Sequence, residues 1–148
     1  MQTSALRIRA FEPADEPAVI GLWMACDLVK PQNNPALDIA RKRSVNPEWF
    51  LVGEYEGRVV ATCMAGYEGH RGWINYLAVH PDYRRQGWAR ELMAHAEACL
   101  RAAGCPKINL QVRRSNLDVI AFYQAIGFAE DEVVSLGKRL QPDPPPEG

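Results

Sequence analysis

The sequence predicts an α/β domain, a mixed sheet carrying helices, on three observations. Segments that alternate apolar and polar residues, as a half-buried strand does, are interleaved with segments whose apolar residues recur every three or four positions, as on one face of a helix. One strand-helix-strand stretch, residues 73–113, has the order and length of a right-handed parallel crossover. The 148 residues, 47% hydrophobic and 24% charged, suit one soluble globular domain and leave little room for a second.

Taken in order, residues 6–11 alternate and read as a first strand. Pro13 and Asp15 introduce Val19, Ile20, Leu22, Trp23 and Met24, an apolar run of helical length that Pro31 and Pro35 close. Asn34 followed by Pro35 has the form of an N-cap with Pro at the first helical position, which predicts a second, shorter helix to about Ser44. Residues 50–52 and 59–65 flank the turn signal Glu56-Gly57-Arg58 and predict a hairpin. Residues 73–79 follow as a further strand. Ala89, Leu92, Met93, Ala96, Cys99, Leu100 and Ala103 then mark one face of a long helix that Gly104 terminates. Ile108, Leu110 and Val112 alternate with Asn109, Gln111 and Arg113 as a strand, and a helix over 117–125 stops at Gly127. A β-rich segment over 128–140 completes the order β-α-α-β-β-β-α-β-α-β-β. The sheet is expected to be mostly antiparallel with one parallel β-α-β unit. Residues 1–140 form the domain; 141–148, with four of the eleven prolines, read as an exposed tail.

Composition excludes several function classes. The formal charge of −1 argues against a general nucleic-acid binder, which relies on a basic surface. The longest apolar stretch, residues 18–26, is half of what a membrane span needs, and the opening residues carry no secretory pattern, so a cytoplasmic protein is expected. Cys26, Cys63, Cys99 and Cys105 form no CxxC pair and no metal-like spacing with His70, His80 or His95; buried free thiols and no metal are expected.

The chemistry concentrates in residues 77–90, where a strand meets the long helix. Helix N-terminal amides lack intrahelical partners, the helix dipole adds positive charge, and Gly87 admits close approach to the backbone. Arg84, Arg85 and Arg90 add charge with no acid among them. On this loop alone, an anion pocket and a solvated arginine-bearing turn are equal readings. The loop is neither a GxxxxGK[ST] nor a GxGxxG motif, which disfavours nucleotide hydrolysis and hydride transfer.

A second segment separates the readings. Val79-His80-Pro81 with Arg84-x-x-Gly87-x-Ala89, and then Asn116 with Ala121-Phe122-Tyr123-x-x-x-Gly127-Phe128, together resemble the GNAT superfamily of acetyl-CoA-dependent N-acetyltransferases over roughly residues 6–140. Leu136-Gly137-Lys138-Arg139-Leu140 and Gly104-Cys105-Pro106-Lys107-Ile108 are further similar to its small stand-alone bacterial YpeA-like branch. The resemblance implies acetyl-CoA as acyl donor, with Leu77, Ala78 and Val79 along its pantetheine arm. It implies a pyrophosphate seat on the amides of Arg85, Gln86, Gly87, Trp88 and Ala89, with Arg84 and Arg90 as side-chain partners. Asn116 is implied as a contact to the arm, and its position before Leu117-Asp118 also makes it a helix cap. Tyr123 is implied as the general acid; by helix spacing alone it is a core aromatic beside Phe122.

The implied reaction is direct transfer, in which an amine attacks the thioester and a main-chain N–H near Val79 meets the oxyanion. The base is unassigned. Ribosomal-protein N-terminal acetyltransferases that look similar around Leu110-x-Val112-Arg113 carry Glu where this chain has Gln111, and Glu68, Tyr76 and Asp118 are candidates without motif support. At pH 7 roughly one in seven α-amines but only about one in 2,500 lysine amines is neutral, so a site lacking a strong base suits an α-amine. Acceptor selectivity is expected from residues 27–34 and 67–72, where His70 and Arg71 form an exposed basic pair. Two classes stay open: an N-acetyltransferase for a small molecule or peptide N-terminus, and a catalytically weak acyl-CoA-binding sensor. The exposed β-rich stretch 133–140 offers a surface for a homodimer.

Overall fold

A computed structural model describes residues 5–144. Strands β1 (Arg7–Ala10), β2 (Phe50–Tyr55), β3 (Arg58–Tyr67), β4 (Gly72–Val79) and β5 (Ile108–Asn109) form one sheet in sequence order. All neighbours are antiparallel except β4 with β5, which are parallel. Helices α1 (Glu16–Ala25) and α2 (Pro35–Arg43) precede β2; α3 (Trp88–Ala102) links β4 to β5, and α4 (Leu117–Ala125) follows. The mixed α/β architecture is the one the sequence predicts.

Helices cover both faces. On one, Leu92, Met93, Ala96 and Leu100 of α3 pack with Tyr123 of α4 against Leu51, Val60, Cys63, Ala65 and Ile74. On the other, Val19, Leu22 and Trp23 of α1 and Ile39 of α2 pack against Phe50, Val52, Met64 and Ala78. A strand buried on both sides needs apolar residues at consecutive positions, which is why β2 and β3 read as continuous apolar runs. Full burial of Leu92, Met93 and Leu100 contributes about 1.5–3 kcal/mol for each. The α2 start is built as expected, with Asn34 Oδ1 accepting from the Leu37 amide at 3.2 Å. β1 is tied down by Arg9, which grips Asp15 through two bonds of 2.8 and 2.9 Å and Glu54 through one of 2.9 Å. The Arg9 guanidinium holds the Asp15 carboxyl below its ordinary value, against the opposing effect of burial. Gly72 opens β4 where α3 and β5 crowd together: a Cβ there would lie 2.8 Å from Cys105 Sγ and 3.2 Å from Leu100 Cδ1.

The feature that shapes the site is a bulge in β4. Thr62 pairs with Ala78 and Met64 with Asn75, so Tyr76 and Leu77 together oppose Cys63. Tyr76 has φ of 52°, a left-handed conformation that costs a bulky residue about 1–3 kcal/mol. Three contacts offset that strain. The Tyr76 ring stacks on Trp23 with centroids 3.8 Å apart, its carbonyl accepts from Thr62 Oγ1 at 2.8 Å, and its hydroxyl donates to Asp38 at 2.6 Å. Thr62 in turn accepts from Trp23 Nε1 at 2.9 Å, so one buried hydroxyl joins α1 to the bulge.

Four expectations change. β5 is confined to Ile108–Asn109, shorter than the alternation over 108–113 implies, because the chain diverges from β4 beyond Asn109. Residues 129–140 contain no strand and are exposed. They lie beside β5 through side chains alone, Lys107 and Asn109 to Asp131 and Gln111 to Ser135, and alternation makes a strand only where a backbone partner exists. Of the cysteines only Cys63 is buried; Cys26, Cys99 and Cys105 are half-buried, and all four are free. In the stretch expected as a tail, Asp143 pairs with Arg41 at 2.8 Å and the Pro144 carbonyl accepts from Asn34 Nδ2 at 3.0 Å. Residues 145–148 of that stretch lie outside the described residues.

Replacing Thr62 by Val keeps its shape but strands the Trp23 N–H and removes a partner of the Tyr76 carbonyl. Urea denaturation should show a loss of about 2–4 kcal/mol, with Thr62→Ser retaining most of the stability; a neutral Thr62→Val would remove the hydroxyl from the account of the bulge.

Candidate active site

Beyond Trp73, β4 has no strand on its outer edge among the described residues. Ala78 pairs with Thr62, and the His80 amide donates to the Val60 carbonyl at 2.8 Å. In an antiparallel ladder main-chain groups alternate in direction, so Ala78 and His80 face β3 while Leu77 and Val79 turn theirs to the open edge. The Val79 carbonyl is met there by Cys26 Sγ at 3.3 Å and Arg84 Nε at 3.4 Å. Burial pushes the Cys26 thiol up, with Arg84 acting in the opposite sense. Ala78 has its side chain buried on the α1 face and is spent on packing.

The α3 N-terminus follows. Gly87 is its N-cap with φ of 79°, no side chain caps the helix, and Arg85 also has positive φ, 67°. The Gly87 N-cap supplies no side-chain acceptor to the first amides of α3, and positive φ at Arg85 and Gly87 on either side of Gln86 gives the loop an alternating backbone of the kind that forms anion-binding nests. A Cβ on Gly87 would have nothing within 4 Å, so the space above it is open. The loop is anchored from beneath by Trp88, buried against Tyr55 at 5.1 Å and Tyr83 at 5.7 Å. Arg84, Arg85, Gln86 and Arg90 are exposed and Ala89 half-buried. The arrangement can hold an anion by backbone amides and helix dipole, with arginine side chains at the rim.

On α4, Asn116 occupies the N-cap position, but its side chain makes no capping bond. The expected capping role is therefore not met, and the amide stands exposed before the helix. The Tyr123 ring is 8% exposed and lies edge-on to Phe122 at 5.1 Å and Phe128 at 5.5 Å. It is a core aromatic by packing, yet its hydroxyl is not a sealed, unpartnered atom. Burial, and secondarily Cys63, raise the phenol above its ordinary value, so it stays protonated through the neutral range.

The opposite wall joins two regions the sequence singles out, Tyr76 and residues 27–34, through Asp38, which it does not. Asn33 Nδ2 donates to the Tyr76 hydroxyl at 2.8 Å, and that hydroxyl donates to Asp38, joining the α1–α2 connection, α2 and the β4 bulge. Burial first, and Asp38 second, raise the Tyr76 phenol. No local signal marks Asp38 or Thr62, because their partners lie 38 and 14 residues away. Trp73 and Asn75, one bulge earlier on β4, are exposed beside this wall. Of the other candidate bases, Glu68 accepts from the amides of His70 and Arg71 in its own loop, and Asp118 is exposed in the first turn of α4. Gln111 donates from its amide to Ser135. Among the described residues no group of His, Cys, Asp and Glu forms a metal cluster, and no helix is long and apolar enough to cross a membrane.

Comparison with known proteins agrees with this geometry. A family model described as the acetyltransferase (GNAT) family matches residues 17–128. An acetyltransferase of Sodalis glossinidius is 49% identical over 139 residues, which span 93% of this chain and 98% of that one. Among solved structures, Ard1 from Thermoplasma volcanium superposes with a TM-score of 0.74 at 29% identity, covering 85% of this chain and 84% of the other. The ribosomal-protein-S18-alanine N-acetyltransferase of Escherichia coli gives 0.72 at 25% identity, covering 85% and 79%.

The burial of Tyr123 sets a spectroscopic expectation. In an alkaline titration followed by tyrosinate absorbance, Tyr123→Phe should match the wild type up to about pH 11, because this phenol does not ionise there. Loss of one tyrosine's signal near the ordinary value of about 10 would contradict its buried setting.

Proposed function

The chain belongs to the acetyltransferase (GNAT) family, and on that premise we propose that it transfers an acetyl group directly from acetyl-CoA to a primary amine on a small molecule or a peptide N-terminus. The observation that carries this reading is the meeting of a β4 edge at Leu77 and Val79, which no strand among the described residues pairs, with the N-terminus of α3, whose Gly87 N-cap offers no side chain. An extended polar arm ending in a pyrophosphate needs that combination, a ladder of main-chain partners leading to an anion seat.

In this reading the pantetheine arm lies along Leu77 and Val79, and the pyrophosphate rests on the amides of Arg85 to Ala89. Arg84 leaves the Val79 carbonyl to join Arg90 as a counter-charge, and Asn116, free of capping, turns to the arm. The acceptor nitrogen forms a bond to the acetyl carbonyl carbon, and the carbon–sulfur bond breaks. Oxyanion charge falls on a main-chain N–H near Val79, preorganised by the bulge. The amine gives its proton to solvent water, the departing thiolate takes one from Tyr123, and solvent returns a proton to the phenolate; burial keeps the phenol protonated until negative charge develops on sulfur.

Gln111 is tied to Ser135 and accepts no proton at neutral pH. The Asp38 carboxylate, bonded to Tyr76, lies in the wall rather than replacing that missing glutamate. An acceptor that brings its own neutral fraction fits this wall best, which favours α-amines over lysine side chains.

The test is coenzyme A release with acetyl-CoA and a panel of amines. Amine-dependent thiol release supports the transferase; tight acetyl-CoA binding with none across the panel identifies an acyl-CoA-binding protein instead. Tyr123→Phe should lower turnover at saturating substrates by roughly 10²-fold while leaving acetyl-CoA affinity nearly unchanged; unchanged turnover rejects it as the acid. At pH 7 a peptide α-amine should outpace a lysine side chain of the same peptide, and the rate with the α-amine should climb between about pH 6 and 8 as the amine deprotonates. A clear lysine preference removes the argument from Gln111.

A further inference from the structure

Half of the large apolar side chains that stand exposed among the described residues, Val133, Val134, Leu136 and Leu140, fall within eight consecutive positions. Leu136 is 90% and Val134 82% exposed. The segment runs beside β5 but is held only by side chains. Lys107 and Asn109 reach Asp131 at 3.0 and 2.9 Å, and Gln111 reaches Ser135. Its backbone joins no ladder and its apolar side chains have no cover. A β-branched, apolar stretch with its backbone outside any ladder and its side chains exposed is a template for another strand.

The order of charges selects which strand. Glu130, Asp131 and Glu132 precede the apolar centre, and Lys138 and Arg139 follow it. Laid antiparallel on a second copy of itself about Ser135, the segment sets Glu132 opposite Lys138 and Val134 opposite Leu136 on one face. On the other face it sets Val133 opposite Gly137, and Asp131, which is already shared with Lys107, opposite Arg139. A parallel arrangement would align Glu132 with Glu132 and Lys138 with Lys138, like charges directly opposed. We infer that residues 131–139 form a two-fold interface with a second copy of this chain, an antiparallel strand pair centred on Ser135. Such a pairing is self-complementary, as an isologous contact must be, and the net charge of −1 leaves little long-range repulsion between copies. The same stretch continues into residues 137–141, which line a groove with Asp143 and with Arg41 of α2, so the second copy sits next to the wall that carries Asp38.

Sedimentation velocity on the full chain tests this. The wild type should sediment at twice the chain mass at micromolar concentration. Glu132→Lys and Lys138→Glu should each weaken the dimer roughly tenfold, since each opposes like charges twice across the two-fold axis. An equimolar mixture of these variants should recover the dimer, because each restores the other's opposite charge. Leu136→Asp should be monomeric, with an unchanged circular-dichroism melt showing that the exposed substitution leaves the fold intact. A wild type that stays monomeric into the high micromolar range overturns the inference and leaves the patch to a different partner. Variants that dimerise like the wild type, or a mixture no tighter than either variant alone, overturn it equally.

Discussion

One buried hydroxyl holds the site open. Thr62 accepts from the Trp23 indole and donates to the Tyr76 carbonyl, and through those two bonds α1 fixes a bulge in β4 that the backbone alone would not favour. The bulge moves every later side chain of β4 to the opposite face, so Ile74 packs under α3 while Ala78 packs under α1. It accompanies the divergence of β4 from the chain after β5, leaving an edge where the sheet would otherwise continue. The strain at Tyr76 is carried by contacts from α1, α2 and the connection between them, which makes the two N-terminal helices part of the site.

The electrostatics are local. A chain of net charge −1 has no general attraction for anions, and the positive character at the α3 start comes from backbone amides as much as from arginine. Elsewhere charges are consumed in pairs: Arg9 by Asp15 and Glu54, Arg41 by Asp143, Lys107 by Asp131. Among the described residues Arg84, Arg85 and Arg90 stand at the rim with no acidic side chain in an ion pair with them, and Arg84 bends back to the Val79 carbonyl. The aromatic cluster of Tyr55, Tyr83 and Trp88 supplies the rigidity that a glycine-bearing loop lacks.

Much of this was legible in the residues, and the boundary is physical. The helices, the hairpin and the Asn34 cap are set by neighbours within a few positions, so local pattern suffices. The α3 loop was legible because an uncapped helix start with Gly87 depends on short-range geometry. The bulge was not, because a tyrosine in the left-handed region carries no local mark and its supports, Trp23, Thr62 and Asp38, are distant in sequence. Residues 128–140 misled in the opposite way. Their alternation records a preference for extended backbone, but pairing depends on a partner that this fold does not place there. Asn116 has the composition of a cap and the position of one, yet its side chain makes no capping bond, and residue type alone does not decide whether that bond forms.

The central claim is that the bulge at Tyr76 frees the outer edge of β4 so that a ligand's extended arm can complete it. The most direct measurement is residue-resolved amide hydrogen exchange with and without acetyl-CoA. Exchange at Leu77 and Val79 should slow on ligand addition, with the amides of Arg7–Ala10 unchanged. Ligand binding that leaves Leu77 and Val79 exchanging at their free rates would contradict the account.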